Sequence, residues 1–300
     1  MRTLARLSWA AVAVAFGEVL LGSWTRINGA GMTCPDYPLC RGRLVPAFDG
    51  GVVWEWTHRF TALALSVLVI SVIVIAFRRR GESARFVRPA AAVTGALFVL
   101  QIALGAATVR LSNVPASVVW HWGTAMALIA SLAALAIFAA GGELRRRHSQ
   151  SASVTGVLAG TAVVAFITMC IGAYVSSSGA GLACVTIPGC AGNVVVYSDG
   201  QFVQMLHRAA AAAALLASVA AFAIVWVKRS SASVRIWTTA GLLLVFVQII
   251  LGLLNVAFRL PLDLREAHAA NAALIFLAFV CATTLAAIES APVRKTVTAT

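Results

Sequence analysis

The sequence predicts an all-α integral membrane protein, built as two tandem, pseudo-two-fold-related bundles of four transmembrane helices each. Hydrophobic residues make up 61% of the 300 residues and charged residues only 11%, a composition far from that of soluble domains. Eight stretches with little or no charge are each long enough to cross a bilayer, which takes about 20 residues. The two halves of the chain also repeat each other's motifs.

The eight predicted spans follow one another with short polar segments between them. They cover residues 7–25, 57–77, 89–109, 118–140, 155–176, 205–227, 236–257 and 267–288. The first span follows Arg2 and Arg6, so a cleaved secretory peptide is the alternative interpretation. No clear small-x-small cleavage pattern follows it, and the repeat needs this helix, so we interpret it as a span.

The positions of the basic residues predict the orientation in the membrane. Of the 23 Lys and Arg residues, 15 lie at the two termini and in segments 78–88, 145–147 and 228–235. Because these segments are alternate loops, the positive-inside rule places them and both termini in the cytoplasm. The net charge of +13 is thus explained by a cell membrane and its lipids, with no nucleic acid partner.

An internal repeat divides the chain into two homologous halves. Leu21-Gly22-Ser23-Trp24 aligns with Ile171-Gly172-Ala173-Tyr174, and Gln101-Ile102-Ala103-Leu104-Gly105 aligns with Gln248-Ile249-Ile250-Leu251-Gly252. Each half holds four spans, an even number, so both halves enter the membrane from the same side. We predict an N-terminal bundle over residues 1–143, a cytoplasmic linker over 144–154 and a C-terminal bundle over 155–300.

Four of the five histidines lie at the outer ends of the even-numbered spans: His58, His121, His207 and His268. A single membrane histidine commonly makes a hydrogen bond between helices, but that does not explain four at one depth in a duplicated frame. Paired imidazoles that face each other across a bundle suit the axial positions of a heme iron. Zinc or copper fits less well, because the second half has no Cys or carboxylate cluster at this depth.

Two arginines directly follow histidines of this set. Arg59 follows His58, and Arg208 follows His207. Their guanidinium groups are candidates to pair with heme propionates at the membrane interface. Snorkelling to lipid phosphates is the alternative.

Two pairs of cysteines lie in outward-facing loops. Cys34 and Cys40 enclose five residues, as do Cys184 and Cys190. This spacing suits a short disulfide-closed hairpin, and the outer compartment is oxidising, so we predict a bridge in each loop. A redox role for one pair is the alternative.

The two halves differ at an acidic position beside the histidine motif. Glu55 lies three residues before His58, whereas Gln204 lies three residues before His207. A carboxylate can accept a proton or stabilise positive charge during an oxidation, and an amide can do neither. Glu55 is therefore the catalytic candidate, with a helix-capping role as the alternative. Glu18 lies inside the first span and aligns with Thr168 in the repeat. An acid within a membrane span is a functional candidate, but its role is unassigned.

The combination of these motifs resembles the heme A synthase family over nearly the whole chain. The resemblance rests on Thr25-Arg26, Gly29-Ala30-Gly31, Cys34-Pro35-Asp36-Tyr37-Pro38-Leu39-Cys40, Glu55-x-x-His58-Arg59 and the four repeated histidines. It implies an oxidoreductase that converts the C8 methyl of heme O, through hydroxylated intermediates, to the formyl group of heme A for terminal oxidases.

The same resemblance implies roles for individual residues. His207 and His268 would hold a permanent heme b, His58 and His121 would line the site of the heme O substrate, and Glu55 would be essential to the reaction. Heme O synthase, terminal oxidase assembly factors and a second copy of the chain are the protein partners it suggests.

Two other classes of protein fit part of the sequence. A di-heme membrane electron carrier would hold two permanent hemes and perform no covalent chemistry. A repeat-built transporter fits the duplication but leaves the four histidines unexplained.

Overall fold

The computed structural model describes residues 2–81, 84–141, 152–190, 192 and 196–290. Within them the protein is all-α, and eight helices are long and apolar enough to cross a membrane. They are α1 (Arg2–Ile27), α2 (Val52–Phe77), α3 (Ala84–Arg110), α4 (Pro115–Ala140), α5 (Ala152–Ser177), α6 (Asp199–Val227), α7 (Ala232–Ala257) and α8 (Leu262–Ser290). The predicted all-α class and its eight membrane-length helices are confirmed.

Several helices begin before the apolar stretch that predicts them. α2 begins at Val52, α6 at Asp199 and α8 at Leu262. Hydropathy marks only the part of a helix that suits lipid, whereas the backbone hydrogen bonds continue into the polar turns at the end. Glu55 and His58 therefore lie inside the first two turns of α2 and keep the helical spacing that puts them on one face.

The helices of each half form a ring. In the first half, α1 and α3 each contact α2 and α4. In the second half, α5 and α7 each contact α6 and α8. The rings meet where α4 contacts α5 and α8 and where α1 contacts α8. α4 and α8 are consequently the most buried helices, and their side chains form the centre of the apolar core.

The outer helix faces are apolar and exposed, as lipid contact requires. On α2 the exposed side chains include Leu63, Val67, Ile70 and Val74. They recur every three or four residues and so form one stripe along the helix. A soluble protein would not leave such a stripe uncovered.

A disulfide closes each loop that follows the first helix of a half. Cys34 is bonded to Cys40 and Cys184 to Cys190, so both predicted bridges are confirmed. Residues 144–151 of the predicted linker lie outside the described residues. Its last three residues, 152–154, belong to the start of α5.

Candidate functional site

Each of the four membrane histidines lies against a glycine of the preceding helix. The contacting pairs are Gly22 with His58, Gly105 with His121, Gly172 with His207 and Gly252 with His268. A Cβ atom added to these glycines would lie 2.7, 3.1, 2.8 and 3.3 Å from the imidazole Cε1, in the same order. The glycines let each ring pack directly on a neighbouring backbone.

These glycines are contact positions of the candidate site that sequence reasoning missed. All four belong to the motifs that reveal the internal repeat. A small residue in a membrane helix usually permits close helix packing, and nothing in the sequence says that an imidazole is what approaches. The available indication was the matching position of glycine and histidine in the two halves, 36 and 35 residues apart for the first pair of each half and 16 apart for the second.

The second-half histidines fit the two axial positions of one heme iron. The ring centres of His207 and His268 are 6.4 Å apart and their planes are inclined by 71°. Two imidazoles that bind one metal ion from opposite sides, each at about 2 Å, have ring centres about 6 Å apart. The Nδ1 atom of each ring is buried and has no hydrogen-bond partner among the described residues.

The first-half histidines occupy the equivalent places. His58 and His121 lie on α2 and α4, as His207 and His268 lie on α6 and α8, and each has its glycine. In the described part of the chain, no three His, Cys, Asp or Glu side chains converge on one point. Two imidazoles are a set of axial ligands that a heme iron can take from a protein.

The packing on glycine predicts the effect of a single methyl group. Gly172→Ala should displace the His207 imidazole, because its new Cβ would lie 2.8 Å from Cε1, and should weaken heme retention by the second half by about 10–100-fold. Heme content per purified chain measures this loss. Gly160→Ala on the same helix is the matched control, since its Cβ would meet nothing within 4 Å. Equal heme content in both variants would contradict the proposed contact.

Glu55 ties α2 to the first disulfide loop. The residue is 4% exposed, and its Oε2 accepts hydrogen bonds from the Cys34 N–H at 2.8 Å and the Thr33 hydroxyl at 3.0 Å. Its Oε1 lies 2.7 Å from Nη2 of Arg59. These bonds run to the loop and to Arg59 rather than to the free N–H groups of α2.

Gln204 makes the same connection in the second half without a charge. Its Oε1 accepts from the Cys184 N–H at 2.5 Å, and its Nε2 donates to the Gly181 carbonyl at 2.9 Å. The position thus holds a loop in both halves. The carboxylate and its ion pair with Arg59 are what the first half adds.

Arg59 and Arg208 bind carbonyl groups inside the disulfide loops. Arg59 donates to Cys34, Asp36 and Leu39, and Arg208 donates to Cys184, Thr186, Pro188 and Gly189. Both guanidinium groups therefore fix the loop that covers their own half. Their contact with heme propionates stays a prediction.

The first loop also holds a carboxylate outside the membrane. The Gly42 N–H lowers the pKa of the exposed Asp36 carboxyl, and the Arg41 N–H adds to this effect. A lowered pKa means that the ionised form stabilises the loop and that this contribution is lost as the pH falls through the folded-state value.

Glu18 is the acid within the first span to which the sequence assigned no role. Its Oε1 lies 2.7 Å from Nδ1 of His58, an ion-pair distance, although the N–H direction is out of line for an ideal hydrogen bond. Its Oε2 accepts a hydrogen bond from the Thr61 hydroxyl. The mid-membrane acid is therefore a neighbour of a candidate heme ligand.

Comparison with known proteins identifies the family of the chain. Residues 47–280 match the COX15-CtaA family, described as cytochrome oxidase assembly protein. The chain belongs to this family. The COX15-CtaA match runs from before Glu55 to the middle of α8 and so includes all four histidines.

Individual COX15-CtaA relatives cover most of the chain. A protein of Bacillus licheniformis named heme A synthase is 28% identical over 257 residues, 83% of this chain and 84% of the relative. A heme A synthase of Symbiobacterium thermophilum is 30% identical over 72% of this chain and 73% of its own. A heme A synthase of Shewanella oneidensis is 28% identical over 87% of this chain and 90% of its own.

Proposed function

We propose that this chain is a heme A synthase, which oxidises the C8 methyl of heme O to the formyl group of heme A. The observation that carries the proposal is the match to relatives of that name over most of both chains. It is supported by the two histidine pairs, each packed on glycines in the same way. Heme A made in this way serves terminal oxidase assembly, in keeping with the family's description.

The proposal divides the work between the two halves. The C-terminal bundle, residues 155–300, holds a permanent heme b through His207 and His268. The N-terminal bundle, residues 1–143, binds heme O between His58 and His121. A heme b that is bound in the second half supplies one-electron redox chemistry. The perpendicular His207 and His268 rings, 6.4 Å apart, support the assignment of the permanent site.

In the first half, we assign a role in the reaction to Glu55. We assign to Arg59 the role of holding Glu55 and the disulfide loop in place. The carboxylate can accept the proton released, or stabilise positive charge developed, when the methyl group is oxidised. Arg59 holds Glu55 by an ion pair at 2.7 Å and the loop by its carbonyl groups. Arg208 has the same loop contacts beside a neutral Gln204, so the second half has the architecture without the charge.

The proposal includes the orientation in the membrane and the arrangement of the halves. The basic segments face the cytoplasm with both termini, and the disulfide loops and heme sites lie toward the outer face of the cell membrane. Arg26 donates to Ser176 at 2.9 Å across the boundary between the halves. These two positions are 150 residues apart and equivalent in the repeat, which supports a pseudo-two-fold axis. Heme O synthase, terminal oxidase assembly factors and a second copy of the chain are the proposed protein partners.

The test of this function is the pigment that the chain produces. In cells that co-express the chain with a source of heme O, extracted hemes resolved by chromatography should include heme A. Cells that co-express the His58→Ala variant provide the control and should accumulate heme O. Heme B alone in the cells with the unaltered chain would contradict the enzyme and favour the di-heme carrier.

A further inference from the structure

Each membrane histidine lies on what we call an imidazole seat, a pair of residues four apart on the preceding helix. The seats are Glu18 and Gly22, Gln101 and Gly105, Thr168 and Gly172, and Gln248 and Gly252. The glycine of every seat lies under the ring. The first residues meet their histidines in different ways: Glu18 lies at the ring through its side chain, Gln101 and Thr168 lie near theirs through the main chain, and the Gln248 side chain donates to the main-chain carbonyl of His268.

The four seats share the contact between glycine and imidazole. They differ in the chemistry of the first residue. Two seats have glutamine and one has threonine, all neutral. Only the seat of His58 has a carboxylate. Because residues four apart lie on one face of a helix, Glu18 and Gly22 contact the same imidazole, one at Nδ1 and the other at Cε1.

The Glu18 carboxylate is held on both sides. Oε1 lies 2.7 Å from Nδ1 of His58, and Oε2 accepts from the Thr61 hydroxyl one turn further along α2. The Glu18 side chain is 10% exposed. A carboxylate at this depth of a membrane is costly unless it has polar partners, and the His58 imidazole and the Thr61 hydroxyl are the partners that the described residues provide.

The equivalent seat of the second half offers its histidine no charged partner. The Thr168 hydroxyl is hydrogen-bonded to the carbonyl groups of Val164 at 2.8 Å and Ala210 at 3.1 Å. The Thr168 hydroxyl is therefore engaged with main-chain carbonyl groups rather than with the His207 imidazole. The two halves therefore differ at a second position that contacts a candidate ligand, in addition to Glu55 and Gln204.

We propose that Glu18 is a positioning residue that makes His58 the strongest electron donor among the four imidazoles. Oε1 of Glu18 lies within hydrogen-bonding distance of Nδ1, at 2.7 Å, and a carboxylate that accepts the Nδ1–H of a histidine once it ligates a metal fixes its tautomer and ring orientation and raises its basicity as a ligand. The inference rests on the proposed function, in which heme O binds between His58 and His121. It gives the iron of heme O a more electron-rich ligand than the iron of the permanent heme b receives.

The test is a measurement on purified protein that retains its permanent heme and is titrated with ferric heme B as the substrate probe. Glu18→Gln keeps the volume of the side chain and removes its charge. We expect the affinity of the first half for the probe to fall by about 10–100-fold. We also expect the midpoint potential of the heme bound there to shift upward, because a weaker donor stabilises ferric iron less.

Two further variants separate this role from a general loss of structure. Thr168→Glu places a carboxylate in the seat of His207 and should shift the midpoint potential of the permanent heme downward. In a His58→Ala background, Glu18→Gln should have no further effect on probe binding. The spectrum and content of the permanent heme show whether each variant folds.

The outcomes are distinct from those that decide the proposed function. An unchanged affinity and an unchanged potential in a folded Glu18→Gln protein would overturn the role of Glu18. If the potential shifts as expected but the unaltered chain makes no heme A from heme O, the role of Glu18 stands and the enzyme assignment fails.

Discussion

Replacing His207 or His268 by alanine is expected to strip the purified protein of most of its heme b, whereas replacing His58 or His121 should spare most of it and abolish turnover. In the proposed division of the two halves, each pair would supply both axial ligands of one site, and losing either ligand would leave an iron with a single imidazole. Absorbance spectra of equal amounts of purified variants measure the heme b that remains. Heme A formation in cells measures turnover.

The fifth histidine, His148, provides a control for histidine loss as such. It has no repeat partner among the four, and His148→Ala should retain both heme b and activity. If all four membrane variants lose heme to the same extent, the halves are equivalent. That result would contradict the division of labour and favour the di-heme carrier.

Changing Glu55 to glutamine is expected to lower turnover by about 100-fold or more, the scale of losing a positioned acid-base group. The second half shows why this variant should fold. Gln204 accepts from the Cys184 N–H just as Glu55 accepts from the Cys34 N–H. An amide at residue 55 can therefore keep the loop in place while the negative charge is lost. Rates of heme O conversion and the content of hydroxylated intermediates measure the effect.

Two further variants serve as controls for the Glu55→Gln prediction. Glu55→Asp shortens the side chain by one methylene and should retain partial activity. Gln204→Glu tests the same exchange in the second half, where it should leave heme O conversion largely intact if catalysis belongs to the first half. A Glu55→Gln protein that converts heme O at an undiminished rate would reduce Glu55 to a residue that only holds the loop.

The sequence predicts the helices and the matched positions of the four membrane histidines because both depend on composition and spacing alone. Long uncharged stretches must be helical in lipid, where every backbone group needs an internal partner. The bounds are less predictable, as the start of α2 at Val52 rather than residue 57 shows. Hydropathy leaves out the polar residues in the first turn of a helix, although their backbone belongs to the helix.

Contacts between helices could not be predicted from the sequence. The approach of Gly22 and Glu18 to His58 depends on the relative rotation and height of α1 and α2, which hydropathy does not determine. Glu18 was recognisable as a costly acid in a membrane span, but its partner was not. Likewise, the sequence places Arg59 next to His58, while only the folded loop shows that its guanidinium binds the carbonyl groups of Cys34, Asp36 and Leu39.

The number of heme b groups per chain tests the division between the two halves most directly. Protein purified from cells that make heme B but no heme O should contain one equivalent of heme b per chain, as measured from pyridine hemochrome absorbance against protein concentration. His207→Ala should reduce that value toward zero, and His58→Ala should leave it near one. Two tightly held equivalents in the unaltered protein, with one lost in either variant, would contradict a substrate site in the first half.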